Sequence, residues 1–165
     1  MSFSVRKKAN GVPLCYDYKN FTLYGYLMND SILNRMRVQI KKIYYTHTRY
    51  KVPATFAMLY HEKELTVIEL SKFVRISDHL LKIDDNHYFI TFSHTAHNEA
   101  FKASQNLILY LDSFFQNRTS CIAIDTFDTN NSQAIVYNRL MQILDVIRKM
   151  PYSRVEDENI LDGYL

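Results

Sequence analysis

Histidine and carboxylate side chains fall at metal-ligand spacing twice in this sequence, in His61-Glu62-Lys63-Glu64 and in His94-Thr95-Ala96-His97-Asn98-Glu99. Two histidines three apart can share one helix face. Neither group brings a third convergent ligand, and polar residues are common at a helix start, so no metal site is assigned. Serine, histidine and aspartate are all present, but there is no G-x-S-x-G elbow and no cysteine–histidine pattern for nucleophilic catalysis. The three glycines, Gly11, Gly25 and Gly163, lie far apart, which excludes a Gly-rich phosphate loop and a dinucleotide fingerprint. The two cysteines, Cys15 and Cys121, cannot build a disulfide framework or a four-cysteine zinc centre and read as reduced thiols. No resident cofactor is expected.

The elements that must position these residues follow from composition and period. The chain has 165 residues, 47% hydrophobic and 22% charged, the balance of a globular domain. No apolar run is long enough to span a membrane, and the start has no apolar stretch after its basic residues, so a cytoplasmic location is expected. Residues 1–29 form an aromatic, basic arm without clean periodicity, in which Tyr16-Asp17-Tyr18 and the run from Phe21 to Tyr26 suggest short strands. Residues 31–48 read as an amphipathic helix capped by Asp30 or Ser31, with Ile32, Leu33, Met36, Ile40, Ile43 and Tyr44 on its apolar stripe. Ala54–Tyr60 alternates as a strand. Thr66 and Glu69 have capping-box spacing, with Leu65 and Leu70 as a hydrophobic staple, and open a short helix over 67–74.

Two apolar runs, His79–Ile83 and Tyr88–Phe92, flank a polar turn and predict a hairpin. A helix over Thr95–Gln116, a strand over Ser120–Phe127 and a helix over 132–150 ended by Pro151 complete the core. The acidic tail, residues 151–165, is expected to be mobile or bound to a partner between Glu156 and Asp162. The order from residue 52 is β-α-β-β-α-β followed by a helix, an α+β, ferredoxin-like arrangement.

Charge is unevenly placed. Residues 1–51 hold 10 Lys/Arg against 2 Asp/Glu, a balance of +8, and the remainder holds 10 against 15, a balance of −5, together the net +3. The basic part also carries 7 of the 13 tyrosines. Cations interleaved with rings suit nucleic acid, and equally a solvated helix face docked on an acidic surface. Arg35, Arg37, Lys41 and Lys42 form the expected basic interaction face, directed to a protein partner or a second copy of the chain.

The run from Arg75 to Tyr88 has a further property. Written out, it is Arg75-Ile-Ser-Asp78-His-Leu-Leu-Lys82-Ile-Asp84-Asp85-Asn86-His87-Tyr88. It resembles the R-x-x-D-x-x-x-R-x-G-G-D-E-F segment of GGDEF domains, the diguanylate cyclase family, with Lys82 at the second arginine and Asp84, Asp85, Asn86, His87 and Tyr88 in the signature loop. Asp30-Ser-Ile-Leu33-Asn34-Arg35 looks like a shortened form of the family's opening D-x-L-T-G-L-x-N-R. The element order agrees over residues 30–150, taken as the domain. The resemblance implies a GGDEF-type core with an N-terminal and a C-terminal helix.

The departures bear on activity. Active members join two GTP molecules through metal-bound phosphates, which needs carboxylates on Mg²⁺ and backbone close to phosphate. Asp84 and Asp85 replace the two glycines, His87 replaces the acidic residue, and the first strand runs into His61 where the family has a metal-binding aspartate. The stretch from His61 to Asp78 is too short for the family's guanine-binding segment. The expectation is a domain without cyclase activity, serving regulation or protein interaction. The resemblance also implies a candidate cyclic di-GMP site at Arg75 and Asp78, the family's inhibitory R-x-x-D; the bland counterpart is a surface ion pair. The alternative use is a nucleic-acid or protein adaptor working through residues 1–51. An RNA-recognition module shares the element order, and Phe89-Ile90-x-Phe92 fits its third strand, but Asp85 and Asn86 replace the basic residue and glycine it needs.

Overall fold

The computed structural model describes residues 29–150 and 154–163, together with the backbone of four two-residue strands nearer the N-terminus. Those strands make two antiparallel ribbons: β1 (Arg6–Lys7) with β2 (Pro13–Leu14), and β3 (Thr22–Leu23) with β4 (Tyr26–Leu27). Tyr16, Tyr18 and Pro151 lie outside the described residues.

The first helix, α1 (Asp30–Tyr50), is capped one residue earlier than expected: Asn29 Oδ1 accepts from the Ser31 N–H at 2.8 Å. An amide oxygen in an extended residue reaches the free N–H groups of the first turn. With so few glycines, the chain ends α1 at Lys51 and α3 at Gln116 in the left-handed region, at φ 56° and 53°.

The strand β5 (Ala54–Tyr60) forms as its alternation predicts and is central in a five-stranded sheet of order β6-β7-β5-β8-β9. The neighbouring strands are β7 (His87–Ser93) and β8 (Cys121–Asp125), both antiparallel to it, with β6 (His79–Lys82) outside β7. The fifth strand, β9 (Val155–Glu156), runs parallel to β8.

Among the described residues four α-helices cover the two faces. Helix α2 (Val67–Ser71) and helix α3 (His97–Phe115) pack on Ala57, Leu59, Tyr88, Ile90, Ile122 and Ile124. Helix α1 and helix α4 (Gln133–Ile147) pack on Phe56, Met58, Leu81, Phe89 and Ala123. The alternation of each strand thus feeds two cores, and each fully buried large apolar side chain contributes roughly 1.5–3 kcal/mol. Helix α2 is shorter than its expected 67–74, but its Thr66–Glu69 capping box is formed in both directions. Among the described residues no helix is long and apolar enough to cross a membrane.

The tail departs from expectation. Beyond β9 the chain forms a 3-10 helix, Glu158–Gly163, and Ile160 and Leu161 pack on the α1–α4 core. Arg154 fastens this segment with a bidentate pair to Asp112 on α3, at 2.5 and 2.8 Å, and donates from Nε to the Ser120 carbonyl at 2.9 Å. His97 Nε2 meets Asp157 at 3.0 Å, and the Thr126 hydroxyl contacts Glu158. Asp157 and Glu158 thus find partners on the fold itself, and residues 154–163 are docked rather than free.

Candidate functional site

Asp84, Asp85 and Asn86 form the tip of the β6–β7 hairpin, where the sequence places the signature loop. Asp84 Oδ1 accepts from the N–H groups of Asn86 and His87, each at 2.8 Å, and the carboxylate meets His87 Nδ1 at 2.9 Å. Burial alone would raise the Asp84 carboxyl, but the hydrogen bonds from His87 and Asn86 outweigh it and hold the group below the usual range. The Asp84 carboxylate therefore closes the turn.

The same tip is fastened to the connection between β5 and α2. The Asn86 side-chain amide donates to the carbonyls of His61 (3.0 Å) and Glu62 (2.8 Å), and the His61 N–H donates to the Asn86 carbonyl at 2.9 Å. The Tyr88 hydroxyl accepts from the Leu65 N–H at 2.7 Å and donates toward the Leu65 carbonyl at 2.9 Å. Lys82 pairs with Glu64 and lies 3.7 Å from Asp85. His61 is fully buried; its Nδ1 meets the Ser120 hydroxyl at 2.7 Å and its ring packs on Phe115. Burial pushes its pKa down, which favours a neutral imidazole. Magnesium prefers charged oxygen ligands. A buried neutral imidazole already bonded to a hydroxyl does not fit that ion, so His61 does not suit a magnesium ion at the end of β5.

Arg75 and Asp78 lie in the connection from α2 to β6. The Asp78 N–H donates to the Arg75 carbonyl at 3.0 Å, and Asp78 Oδ1 accepts from the Ser93 N–H at 3.2 Å. Burial raises the Asp78 carboxyl, with the backbone N–H groups of Ser93 and Arg75 opposing it. No ion pair joins Arg75 to Asp78 among the described residues. Both instead border an open cleft of about 450 Å³, shared with Lys72, Asn106, Phe92 and Tyr110.

Arg35, Arg37, Lys41 and Lys42 of α1 do not make one patch. At about 100° per residue, Arg35 and Lys42 fall on one flank and Arg37 and Lys41 on the other. Arg37 Nε donates to Gln133 Oε1 on α4 at 2.8 Å, whereas Arg35 and Lys42 border a groove beside β6. Further along α1, Arg49 lies over the exposed rings of Tyr45 and Tyr50.

Of the two groups with metal-ligand spacing, His94 and His97 do not converge: His94 is exposed at φ 54°, while His97 turns to Asp157. Single ligand atoms of His97, Asp157 and Glu158 lie within 4.8 Å of one another, a cluster that local spacing could not reveal because 60 residues separate His97 from Asp157.

The mixed five-stranded sheet, its crossover helices and the β6–β7 hairpin define a GGDEF-like α+β fold. Accordingly, the chain is similar to the crystal structure of the GGDEF domain of DgcB from Caulobacter crescentus, solved in complex with c-di-GMP. The TM-score is 0.55 at 9% sequence identity, over 88% of this chain and 99% of that one. No family model and no curated protein matches the sequence.

Proposed function

We propose that this chain is a GGDEF-fold regulatory domain that does not make cyclic dinucleotides and that receives cyclic di-GMP in the Arg75–Asp78 cleft. The observation that carries the reading is the fastening of the signature hairpin onto residues 61–65 through Asn86 and Tyr88. Phosphoryl transfer depends on metal-borne charge and on backbone N–H groups facing phosphate. Here the N–H groups of the tip point to Asp84, and the segment that would border a nucleotide is bonded to the tip.

The receptor part rests on the cleft. An arginine reads the guanine edge bidentately through O6 and N7. The Asp78 carboxylate, oriented by Ser93, is suited to accept from the guanine N1 and N2 hydrogens. Lys72 adds charge for phosphate, and Tyr110, exposed on the cleft wall, adds a ring for stacking. The resemblance of the c-di-GMP-bound neighbour in fold supports the ligand class without assigning residues.

Incubation with GTP and Mg²⁺ is expected to give no cyclic dinucleotide; measurable turnover overturns the first part. Titration calorimetry with cyclic di-GMP is expected to give saturable binding that Arg75→Ala abolishes. Absence of binding, or binding indifferent to Arg75→Ala, overturns the second.

A further inference from the structure

The two edges of the sheet are treated differently. At one edge the chain's own β9 adds to β8. At the other, β6 pairs with β7 on one side only, and among the described strands nothing pairs on its outer side. An edge strand leaves alternate N–H and C=O groups without ladder partners, a template for one more strand.

Beside that edge runs a groove floored by β6 and walled by α1. Two adjoining cavities of about 420 and 410 Å³ make it up, and they share Lys42, Ile43 and His79. Its described lining includes Arg35, Lys42, His79 and His94 and no acidic residue. Arg35 and Lys42 are exposed and have no ion-pair partner among the described residues. Val38, 51% exposed, stands between them on the same wall. Seven residues of helix separate the two cations by about 10 Å, between the roughly 7 and 13 Å that separate same-face strand side chains two and four residues apart.

We infer that the β6 edge and the Arg35–Lys42 flank of α1 bind an extended acidic segment of a partner protein, which adds to the sheet as a sixth strand. Main-chain hydrogen bonds to His79–Lys82 supply affinity and register. Alternate side chains of the segment turn toward α1, where acidic ones meet Arg35 and Lys42. The charge pairing sets orientation and association rate. This site is separate from the Arg75–Asp78 cleft and does not depend on cyclic di-GMP.

The probe is a labelled eight-residue peptide alternating Glu and Val, titrated against the full chain by fluorescence anisotropy at low salt. Saturable binding is expected, with slowed amide exchange at His79–Lys82. The double variant Arg35→Glu/Lys42→Glu should weaken it at least tenfold. Arg37→Glu/Lys41→Glu, the same charge change on the other flank, should leave it within about twofold and serves as the folding control. A peptide with the same side chains but N-methylated at alternate bonds should not bind. The inference is overturned by absence of binding, by equal affinity for the N-methylated peptide, or by a single-stranded oligonucleotide of equal charge competing for the same flank. It is also overturned if sedimentation shows a dimer that buries the β6 edge.

Discussion

The Tyr88 hydroxyl holds both backbone polar groups of Leu65, the N–H at 2.7 Å and the C=O at 2.9 Å, across 23 residues of sequence. Both residues are buried, so neither backbone group can turn to water. Tyr88 stands at the phenylalanine position of the signature that this hairpin resembles. Its phenol oxygen makes the buried ring a clasp on the loop that follows β5.

Tyr88→Phe should therefore keep the fold and lose stability. The ring still fills its site, but Leu65 loses both partners, at about 1–3 kcal/mol for buried groups left unsatisfied. For a chain of this length the thermal midpoint should fall by several degrees. Urea unfolding with circular dichroism measures it, and a variant as stable as the parent would show that the loop is held by other means.

Introducing glycines at both aspartates of the hairpin tip should not create a cyclase. In Asp84→Gly/Asp85→Gly the turn loses the carboxylate that accepts from Asn86, His87 and the His87 ring. A loss of about 1–2 kcal/mol is expected. The Asn86 amide still binds His61 and Glu62, so the loop remains fastened to the tip. Product assays with GTP and Mg²⁺ should stay blank; appearance of cyclic dinucleotide would place the block in the two aspartates alone.

Much of the core was legible locally because its determinants are local. Thr66 and Glu69 cap α2 from three residues apart, and the alternation of Ala54–Tyr60 needs only a period of two. The polar run Asp84–Asn86 between two apolar runs located the hairpin tip because turn chemistry is local. What stayed hidden depends on partners far away in sequence. Asp112 and Arg154 are 42 residues apart, and without that pair the tail reads as free acidic chain. His61 looks like a ligand in sequence because its burial against Ser120, 59 residues on, leaves no local mark. The basic residues of α1 read as one face until Gln133, on another helix, claims Arg37.

The docking of the tail can be tested at Arg154, whose guanidinium bridges α3, β8 and the C-terminal segment. Arg154→Ala removes both bonds to Asp112 and the bond to the Ser120 carbonyl, and about 2 kcal/mol of stability should go with them. Limited proteolysis should then cut within residues 154–163 faster than in the parent. Unchanged cleavage would mean that Ile160 and Leu161 hold the segment unaided.

Asp125 makes stability depend on pH in a direction opposite to most carboxylates. It is 2% exposed at the end of β8, and burial pushes its pKa up from 3.8 to about 6, although Arg139, at 2.9 Å, opposes the shift; nearby Glu158 adds to it. The folded state thus binds this proton more tightly than the unfolded chain. The stability it contributes is fully present below about pH 4 and is lost as pH rises through about 6. The shift corresponds to a change on the order of 2–3 kcal/mol. Asp125→Asn cannot ionise, so comparing the two proteins isolates this group from every other titration. Urea unfolding should find the variant weaker relative to the parent at pH 5 than at pH 8. Parallel stability curves for the two proteins across that interval would show that Asp125 stays ionised throughout, held so by Arg139.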